Sequence, residues 1–204
     1  IEADSLSLLN AFKDPKFLAE NGFTEENVLS MFIPNSYEYF WNTNAIKFRD
    51  RMAKEYRNFW TPERLEKAKA QNLTPLQVSA LASIVHKETV KSDERPTVAG
   101  VYLNRLAKGM KLEADPTVIY AVKKNNNDFN IVIKRVLYKD LETVSPYNTY
   151  MYEGLPPGPI AMPDITALDA VLNPKKHDYI YFCASVTNFG YHEFAVTPSQ
   201  HEAN

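Results

Sequence analysis

The chain has 204 residues, enough for one sizeable hydrophobic core or two small lobes. Hydrophobic residues make up 45% of the chain and charged residues 24%, which is ordinary for a globular domain. A formal net charge of -2 gives no electrostatic basis for binding nucleic acid or an anionic membrane surface, and one cysteine excludes an internal disulfide framework. That cysteine, Cys183, lies in an apolar run, so we expect a buried structural thiol.

The first third of the chain is predicted to be helical. Apolar periodicity places helices at roughly residues 4–20, 24–32, 44–59 and 62–71. Between the second and third lies an aromatic segment, residues 33–41, which reads IPNSYEYFW and is predicted to be extended. Such a segment could stack on sugar rings or pack against a helix. No run of about 18 apolar residues occurs, so no membrane-spanning helix is predicted.

The next helix, residues 74–89, has a clear start in the sequence. Thr74 is a suitable N-cap, Pro75 suits the first helical position, and Gln77 completes a T-x-x-Q capping box. At about 100° per residue, its apolar side chains fall on one arc. They are Val78, Leu81, Ile84 and Val85.

Glu88 lies inside that apolar arc, whereas His86 and Lys87 point elsewhere. A carboxyl group held among apolar side chains is harder to ionise, so its pKa rises and it can carry a proton near neutral pH. Such a group can serve as a general acid. The alternative is a glutamate at a helix end that bends out to solvent.

Two more helices are predicted in the centre of the chain. One covers residues 95–108 and ends at Gly109, and the other begins at an Asp-Pro pair with Asp115 as its N-cap. The last third of the chain is predicted to contain strands as well as a short helix. Its pattern predicts a strand at 147–152, irregular chain at 154–160, a short helix at 164–172, and strands at 179–184 and 191–196. Helices first and strands later indicate an α+β fold, with a helical lobe carrying Glu88 packed against a small, mostly antiparallel sheet.

Motifs for metal, nucleotide and serine chemistry are missing. None of the four histidines belongs to an H-x-x-x-H or H-E-x-x-H pair, and one cysteine cannot form a zinc cluster. There is no glycine-rich nucleotide loop and no G-x-S-x-G elbow. The remaining candidates for chemistry are carboxyl groups, which can act as general acids or bases. Beside Glu88, the candidates are Asp93 and Glu94, which precede a helix, and Glu113, which lies in an extended stretch and could face a groove.

Seven short segments stand out together. They are LASIVHKET (81–89), VYLNR (101–105), LEADPTVIY (112–120), SPYNTY (145–150), GLPPGPI (154–160), YIYFCA (179–184) and GYHEF (190–194). In this order they resemble the YceG-like family, the MltG-type endolytic murein transglycosylases of the bacterial envelope. The resemblance is strong over residues 73–204 and looser over 1–72. We therefore expect a catalytic core at 73–204 and, within the same domain, a helical and aromatic segment at 1–72.

The resemblance implies a lysozyme-like lyase acting on peptidoglycan glycan strands. The bond is the β-1,4 link from N-acetylmuramic acid (MurNAc) to N-acetylglucosamine (GlcNAc), and the product carries a 1,6-anhydro-MurNAc end. The family's catalytic glutamate maps to Glu88, which would act as acid and then base without a cofactor or metal. Because the nucleophile is the sugar's own 6-hydroxyl, no second carboxylate is required.

Other matching positions are predicted to bind substrate. Several could orient sugar hydroxyls or the N-acetyl group, with purely structural roles as the alternative. Asp115 is expected to be structural. The predicted substrate-binding residues are Asn104, Glu113, Tyr147, Asn148, Tyr150 and His192.

Two positions depart from the family's pattern. His86 stands where Glu or Gln is common, and Glu113 stands where Gln is common. If Glu113 reaches the cleft, its charge would raise the pKa of Glu88 further, and it could activate water. The alternatives are therefore a hydrolytic muramidase, or a peptidoglycan-binding module with weak or no catalysis.

Relatives have also carried the label aminodeoxychorismate lyase. That activity needs pyridoxal phosphate on a lysine. Lys87 lies on the polar side of its helix and phosphate-binding motifs are missing, so this label is disfavoured.

The resemblance carries expectations about location. Full-length relatives usually have an N-terminal membrane anchor and a LysM-like region, and neither is evident in this sequence. The chain is therefore expected to be the catalytic part on the extracytoplasmic, periplasmic side of the inner membrane, attached only through such an anchor. Expected partners are peptidoglycan strands and the cell-wall synthesis machinery, not nucleic acid.

Overall fold

Helices dominate the structure, and one two-stranded antiparallel sheet follows late in the chain. The computed structural model describes residues 1–204 and confirms the predicted α+β class. A short 3-10 helix, Val28–Met31, follows the second α-helix. The helices are α1 (Ser5–Phe12), α2 (Pro15–Asn21), α3 (Ala45–Phe59), α4 (Pro62–Ala70), α5 (Pro75–Glu88), α6 (Arg95–Ala107), α7 (Asp115–Asn125), α8 (Tyr138–Leu141), α9 (Ile165–Leu172) and α10 (Pro198–Ala203). The strands are β1 (Tyr181–Ala184) and β2 (His192–Ala195).

Helix α5 is the central element. Every residue from Val78 to Val85 is buried, because α4, α6, α7, α9 and the 3-10 helix pack around it. The predicted capping box is confirmed: the Thr74 hydroxyl accepts from the Gln77 N–H, and the Gln77 side chain accepts from the Thr74 N–H. A helix enclosed in this way fixes the position of its last residue, Glu88.

The core consists of two hydrophobic clusters. The larger has 21 buried residues and includes Trp60 and Ala68 beside the residues of α5, α6 and α9. The smaller has 6 buried residues, among them Phe17 and Met31. Tyr56 packs against both clusters. Side chains from before residue 73 thus contribute to the larger cluster, while the division of the chain at that point stays a prediction.

Helix α6 holds the hairpin of β1 and β2 in place through polar side chains. The Asn104 amide donates to the carbonyls of His177 and Tyr179, at 2.8 and 3.0 Å. The Arg105 guanidinium donates to the carbonyl of Ile180 at 2.7 Å. A short sheet has few ladder bonds of its own, so these contacts fix where it lies relative to α5 and α6.

The aromatic segment at 33–41 has one part packed against the core and one part exposed to solvent. Tyr37 and Tyr39 pack against the smaller cluster, as the packing alternative predicts. Phe40 and Trp41 are 84% and 78% exposed. None of the helices has the length and apolar character needed to cross a membrane.

Several predicted boundaries were wrong. The helix predicted at 4–20 is split, because Asp14 caps a new helix whose first residue is Pro15. Of the helix predicted at 24–32, only the 3-10 turn forms. The N-cap of α7 is Ala114, and Asp115 is its first helical residue. The terminal helix α10 was not predicted.

The strand predicted at 147–152 is also absent. Asn148 is fully buried, and its amide donates to the carbonyls of Leu141 and Thr143. Its side-chain oxygen accepts from the N–H of Tyr150. These bonds fold the chain into successive turns in place of an extended strand.

We expect Ser83→Ala to lower the free energy of unfolding by about 1–3 kcal/mol, because a buried N–H loses its partner. Ser83 is fully buried on α5, and its hydroxyl accepts from the N–H of Ile160 at 3.0 Å. Urea denaturation followed by circular dichroism measures the change. The control is Ser79→Ala one turn earlier, whose hydroxyl contacts only the Pro75 carbonyl of its own helix. Equal losses in both variants would contradict the expectation.

Candidate active site

A cavity of about 360 Å³ lies at the C-terminal end of α5, between α6, the start of α7 and the hairpin. Glu88 lines it, so the last residue of the central helix faces open space. The hairpin supplies one wall with residues 181–184 and His192. Cys183 is therefore partly exposed, and the expectation of a buried thiol was wrong. The polar and aromatic residues of the other walls are Tyr102, Arg105, Glu113, Asp115, Tyr150 and His201.

Glu88 is held in a largely desolvated position. Burial raises the pKa of its carboxyl from the ordinary 4.5 to about 7, and the negative charge of Asp115 adds to the rise. The Tyr102 hydroxyl donates to Glu88 Oε1 at 2.6 Å, which lowers the pKa, as does the charge of His192. The balance leaves a carboxyl that exchanges its proton near neutral pH, as the apolar arc of α5 predicts.

Tyr102 is the direct partner of that carboxyl. It is almost completely buried, and its ring packs edge-on against Phe182 of β1 with centroids 5.8 Å apart. Burial and the neighbouring Glu88 raise the pKa of its hydroxyl well above the ordinary value, so the group keeps its proton. It therefore acts as a hydrogen-bond donor to the ionised form of Glu88.

Asp115 and Tyr150 form a second polar pair in the cavity. The Tyr150 hydroxyl donates to Asp115 Oδ1 at 2.7 Å. Burial, together with this carboxylate, raises the pKa of Tyr150. Asp115 was expected to be structural, yet it lines the cavity and its charge acts on Glu88.

Glu94 and His192 form a third pair. Glu94 Oε2 lies 2.7 Å from His192 Nδ1, and Glu94 Oε1 accepts from the backbone N–H of His192 at 2.7 Å. Both side chains are well buried, at 5% exposure for Glu94 and 14% for His192. The Glu94 carboxylate occupies Nδ1 of the His192 ring, so Nε2 of that ring is the nitrogen available to the cavity.

Glu113 reaches the cavity but is neutralised there. Its carboxylate lies 3.0 Å from the Arg105 guanidinium. Its backbone has a φ of 53°, in the left-handed region, and Arg105 donates to the flanking carbonyls of Lys111 and Leu112. The charge that raises the pKa of Glu88 is that of Asp115, so our expectation for Glu113 was wrong.

His86 contributes to a polar cluster at the end of α5, outside the cavity. Arg95 donates to both carboxylate oxygens of Asp164 and to the carbonyl of Thr89. Burial opposes ionisation, but these bonds and others hold the pKa of Asp164 at about 2. His86 lies 3.4 Å from Asp164, and burial lowers its pKa. The cluster ties the end of α5 to the starts of α6 and α9.

The predicted site residues fall into two groups. Glu88, Glu113, Tyr150 and His192 all line the cavity. The other three do not line this cavity, and each contacts other parts of the chain. Asn104 binds the approach to the hairpin, Tyr147 is buried in the larger cluster, and Asn148 bonds the turns around it.

Two residues of the site were missed in the sequence, and two acidic residues were noted there but not predicted to belong to the site. Tyr102 and Arg105 occupy apolar helical spacing, which is typical of core positions. The carboxylates of Glu94 and Asp115 lie at helix starts, where capping explains them equally well. No group of three or more His, Cys, Asp or Glu side chains in the structure could hold a metal ion.

Comparison with known proteins identifies the family. The sequence model described as the YceG-like family matches residues 3–204. The chain belongs to the YceG-like family. The resemblance found in its motifs is thus confirmed.

Two relatives named endolytic murein transglycosylase match this YceG-like chain over limited lengths. The protein from Bacillus subtilis is 47% identical over 104 residues, or 51% of this chain and 27% of that protein. The protein from Streptococcus pneumoniae serotype 2 is 36% identical over 136 residues, or 67% of this chain and 24% of that protein. The matched regions thus amount to about a quarter of these relatives.

The fold also matches a solved structure. The crystal structure of the yceG-like protein lmo1499 from Listeria monocytogenes superposes with a TM-score of 0.77 at 30% identity. The match covers 98% of this chain and 67% of that one. This YceG-like chain therefore shares its architecture with that relative along nearly its whole length.

We expect Tyr102→Phe to raise the pKa of Glu88 above about 7, because the ionised carboxylate loses its hydroxyl donor. Carbon-13 NMR titration of the glutamate carboxyls measures the shift. Tyr147→Phe is the control: it removes a buried tyrosine hydroxyl that contacts Glu26 and not Glu88. An unchanged or lowered pKa in Tyr102→Phe would disprove the role given to this hydroxyl.

The raised pKa of Glu88 also predicts how stability depends on pH. The folded chain binds this proton more tightly than the unfolded chain, so the contribution of Glu88 to the free energy of unfolding is fully present below about pH 4.5 and is lost as the pH rises through about 7. The full loss is roughly 3 kcal/mol.

Glu88→Gln should remove this part of the pH dependence. Glu113→Gln should retain it, since that carboxylate is about half exposed and paired with Arg105. Urea denaturation of the three proteins between pH 4 and pH 8 measures the effect. Parallel curves for all three would contradict the prediction.

Proposed function

We propose that this chain is the catalytic part of an endolytic peptidoglycan lytic transglycosylase. It cleaves the MurNAc-β-1,4-GlcNAc bond and leaves 1,6-anhydro-MurNAc ends. The observation that carries the proposal is Glu88, a carboxyl with a pKa of about 7 that faces a cavity at the end of the central helix. The names of the two relatives support the substrate and the reaction class.

Glu88 performs both proton transfers in this proposal. Its protonated carboxyl donates to the glycosidic oxygen as the bond from C1 of MurNAc to that oxygen breaks. The 6-hydroxyl of the same MurNAc then attacks C1, and its proton returns to Glu88. The acid is regenerated and no water is consumed, so one carboxyl is sufficient.

The neighbouring groups stabilise the charges that develop. Tyr102 donates to Glu88 once the carboxyl has lost its proton. The carboxylate of Asp115 lies in the same cavity and stabilises the positive charge that develops at C1. Tyr150 and His192 line the cavity as hydrogen-bonding groups for sugar hydroxyls or the N-acetyl group.

A lyase is favoured over a hydrolytic muramidase by the state of Glu113. In a hydrolytic muramidase, Glu113 was the residue expected to activate water. Glu113 is the candidate, and its carboxylate is bonded to Arg105 in this structure. A binding module without catalysis is the other alternative, and the raised pKa of Glu88 argues against it.

The substrate determines the location. Peptidoglycan lies outside the cytoplasmic membrane, so we propose that the chain works on the extracytoplasmic, periplasmic side. Association with the membrane through an anchor outside this sequence, and with the cell-wall synthesis machinery, belongs to the same proposal.

The test is digestion of uncross-linked glycan strands, with mass spectrometry of the products. We expect anhydro-ended fragments from the unaltered chain and a loss of about 10²–10⁴-fold in rate for Glu88→Gln, the range typical of a general acid. The rate should also fall as the pH rises through about 7, since Glu88 then loses its proton. Glu66→Gln, an exposed position on α4, is the control.

Two outcomes would contradict this proposal. Reducing ends in the products would show hydrolysis and direct attention to Glu113. Strand binding without cleavage by the unaltered chain would favour the binding module.

A further inference from the structure

A second cavity adjoins the Glu88 cavity. Its volume is about 700 Å³, and the two cavities share Asp115 and Tyr150 as wall residues. The hydroxyl of Tyr150 donates to Asp115, so this bonded pair separates the two spaces and faces both. Residues 135–139 and Leu141 form the rest of the wall. We call this space the outer cavity.

The outer cavity differs from the Glu88 cavity in charge. Arg135 and Lys139 line it, both are exposed, and neither takes part in an ion pair of the structure. In the Glu88 cavity, the lining arginine, Arg105, is already paired with Glu113. Asp115 is the acidic residue of the outer cavity wall, and one of its oxygens accepts from Tyr150. The outer cavity thus presents two cations without carboxylate partners.

The chemistry of peptidoglycan indicates what these cations could bind. The sugars of the strand carry hydroxyl and N-acetyl groups and have no charge of their own. The anionic groups are the carboxylates of the stem peptide, which is attached through the lactyl group of MurNAc. A cavity with two free cations beside a cavity for MurNAc is complementary to that peptide.

We propose that the outer cavity binds the carboxylates of the stem peptide carried by the MurNAc beside Glu88, through Arg135 and Lys139. This inference rests on the proposed function. Tyr138, 92% exposed, adds an aromatic surface at the cavity for the peptide's apolar atoms. The Glu88 cavity has no lysine in its wall and its arginine is paired with Glu113, so a peptide carboxylate meets an unpaired arginine or lysine in the outer cavity and not beside Glu88.

The experiment measures binding of two kinds of uncross-linked strand to the Glu88→Gln chain, which is used to prevent cleavage. One strand carries full stem peptides. The other has been stripped by an amidase, which removes the peptides and leaves the lactyl carboxylate. Adding Arg135→Gln and Lys139→Gln together should weaken binding of the peptide-bearing strand about tenfold, the loss expected when charge-assisted contacts are removed. Binding of the stripped strand should change less than twofold.

The matched control is Lys134→Gln, a neighbouring exposed cation outside the outer cavity wall, which should leave both strands unaffected. No loss with the double variant, or equal losses for both strands, would overturn the proposal, since the cations would then bind no part of the strand, or the glycan with its lactyl carboxylate, and not the stem peptide. Failure of the proposed function shows separately, as absence of cleavage by the chain that retains Glu88.

Discussion

The free-energy cost of ionising a desolvated carboxyl is the constraint on which the rest of the site depends. Glu88 can titrate near neutrality only while its surroundings exclude water on all sides but the cavity. That exclusion requires α5 to be packed by four other α-helices, and the packing fixes the carboxyl in space. A more exposed glutamate would be ionised at neutral pH and could not donate a proton. The central helix is therefore both the core of the fold and the basis of the chemistry.

Helix α6 positions the side chains that surround Glu88 and hold the walls of its cavity. Within four successive residues it places Tyr102 against the acid, Asn104 against the chain leading to β1, and Arg105 against the loop before α7. These side chains point in different directions around one helix, so a single element sets the distances among acid, hairpin and loop. Arg105 is buried and bonded to three backbone carbonyls, which makes it a structural cation as well as the partner of Glu113.

The sequence predicted those features that local rules decide. The start of α5 and the placement of Glu88 follow from capping chemistry and helical periodicity, which act over a few residues. The partners of Glu94 and Arg95 could not be read in the same way, because their contacts lie 98 and 69 residues further along the chain. Only the three-dimensional packing brings such groups together.

The error at residues 147–152 has a different cause. The aromatic and β-branched residues there favour a strand, but the buried amide of Asn148 hydrogen-bonds to the surrounding backbone and holds it in turns. Asn148 was predicted to bind substrate because of its family motif, with a structural role as the alternative, and in this structure its amide bonds the surrounding turns. A buried asparagine whose bonds are satisfied by its own loop determines the shape of that loop and has no donors left for a ligand.

The hairpin that forms one wall of the Glu88 cavity has a further consequence. Two strands of four residues each are marginally stable alone, and this pair depends on contacts with α6 and on rings such as that of Phe182. The free energy of its local opening is consequently separate from that of the helical core and lower. Because Glu88 and Tyr102 lie on α5 and α6, a local opening of the hairpin would widen the cavity on one side without moving the carboxyl or its hydrogen-bond donor.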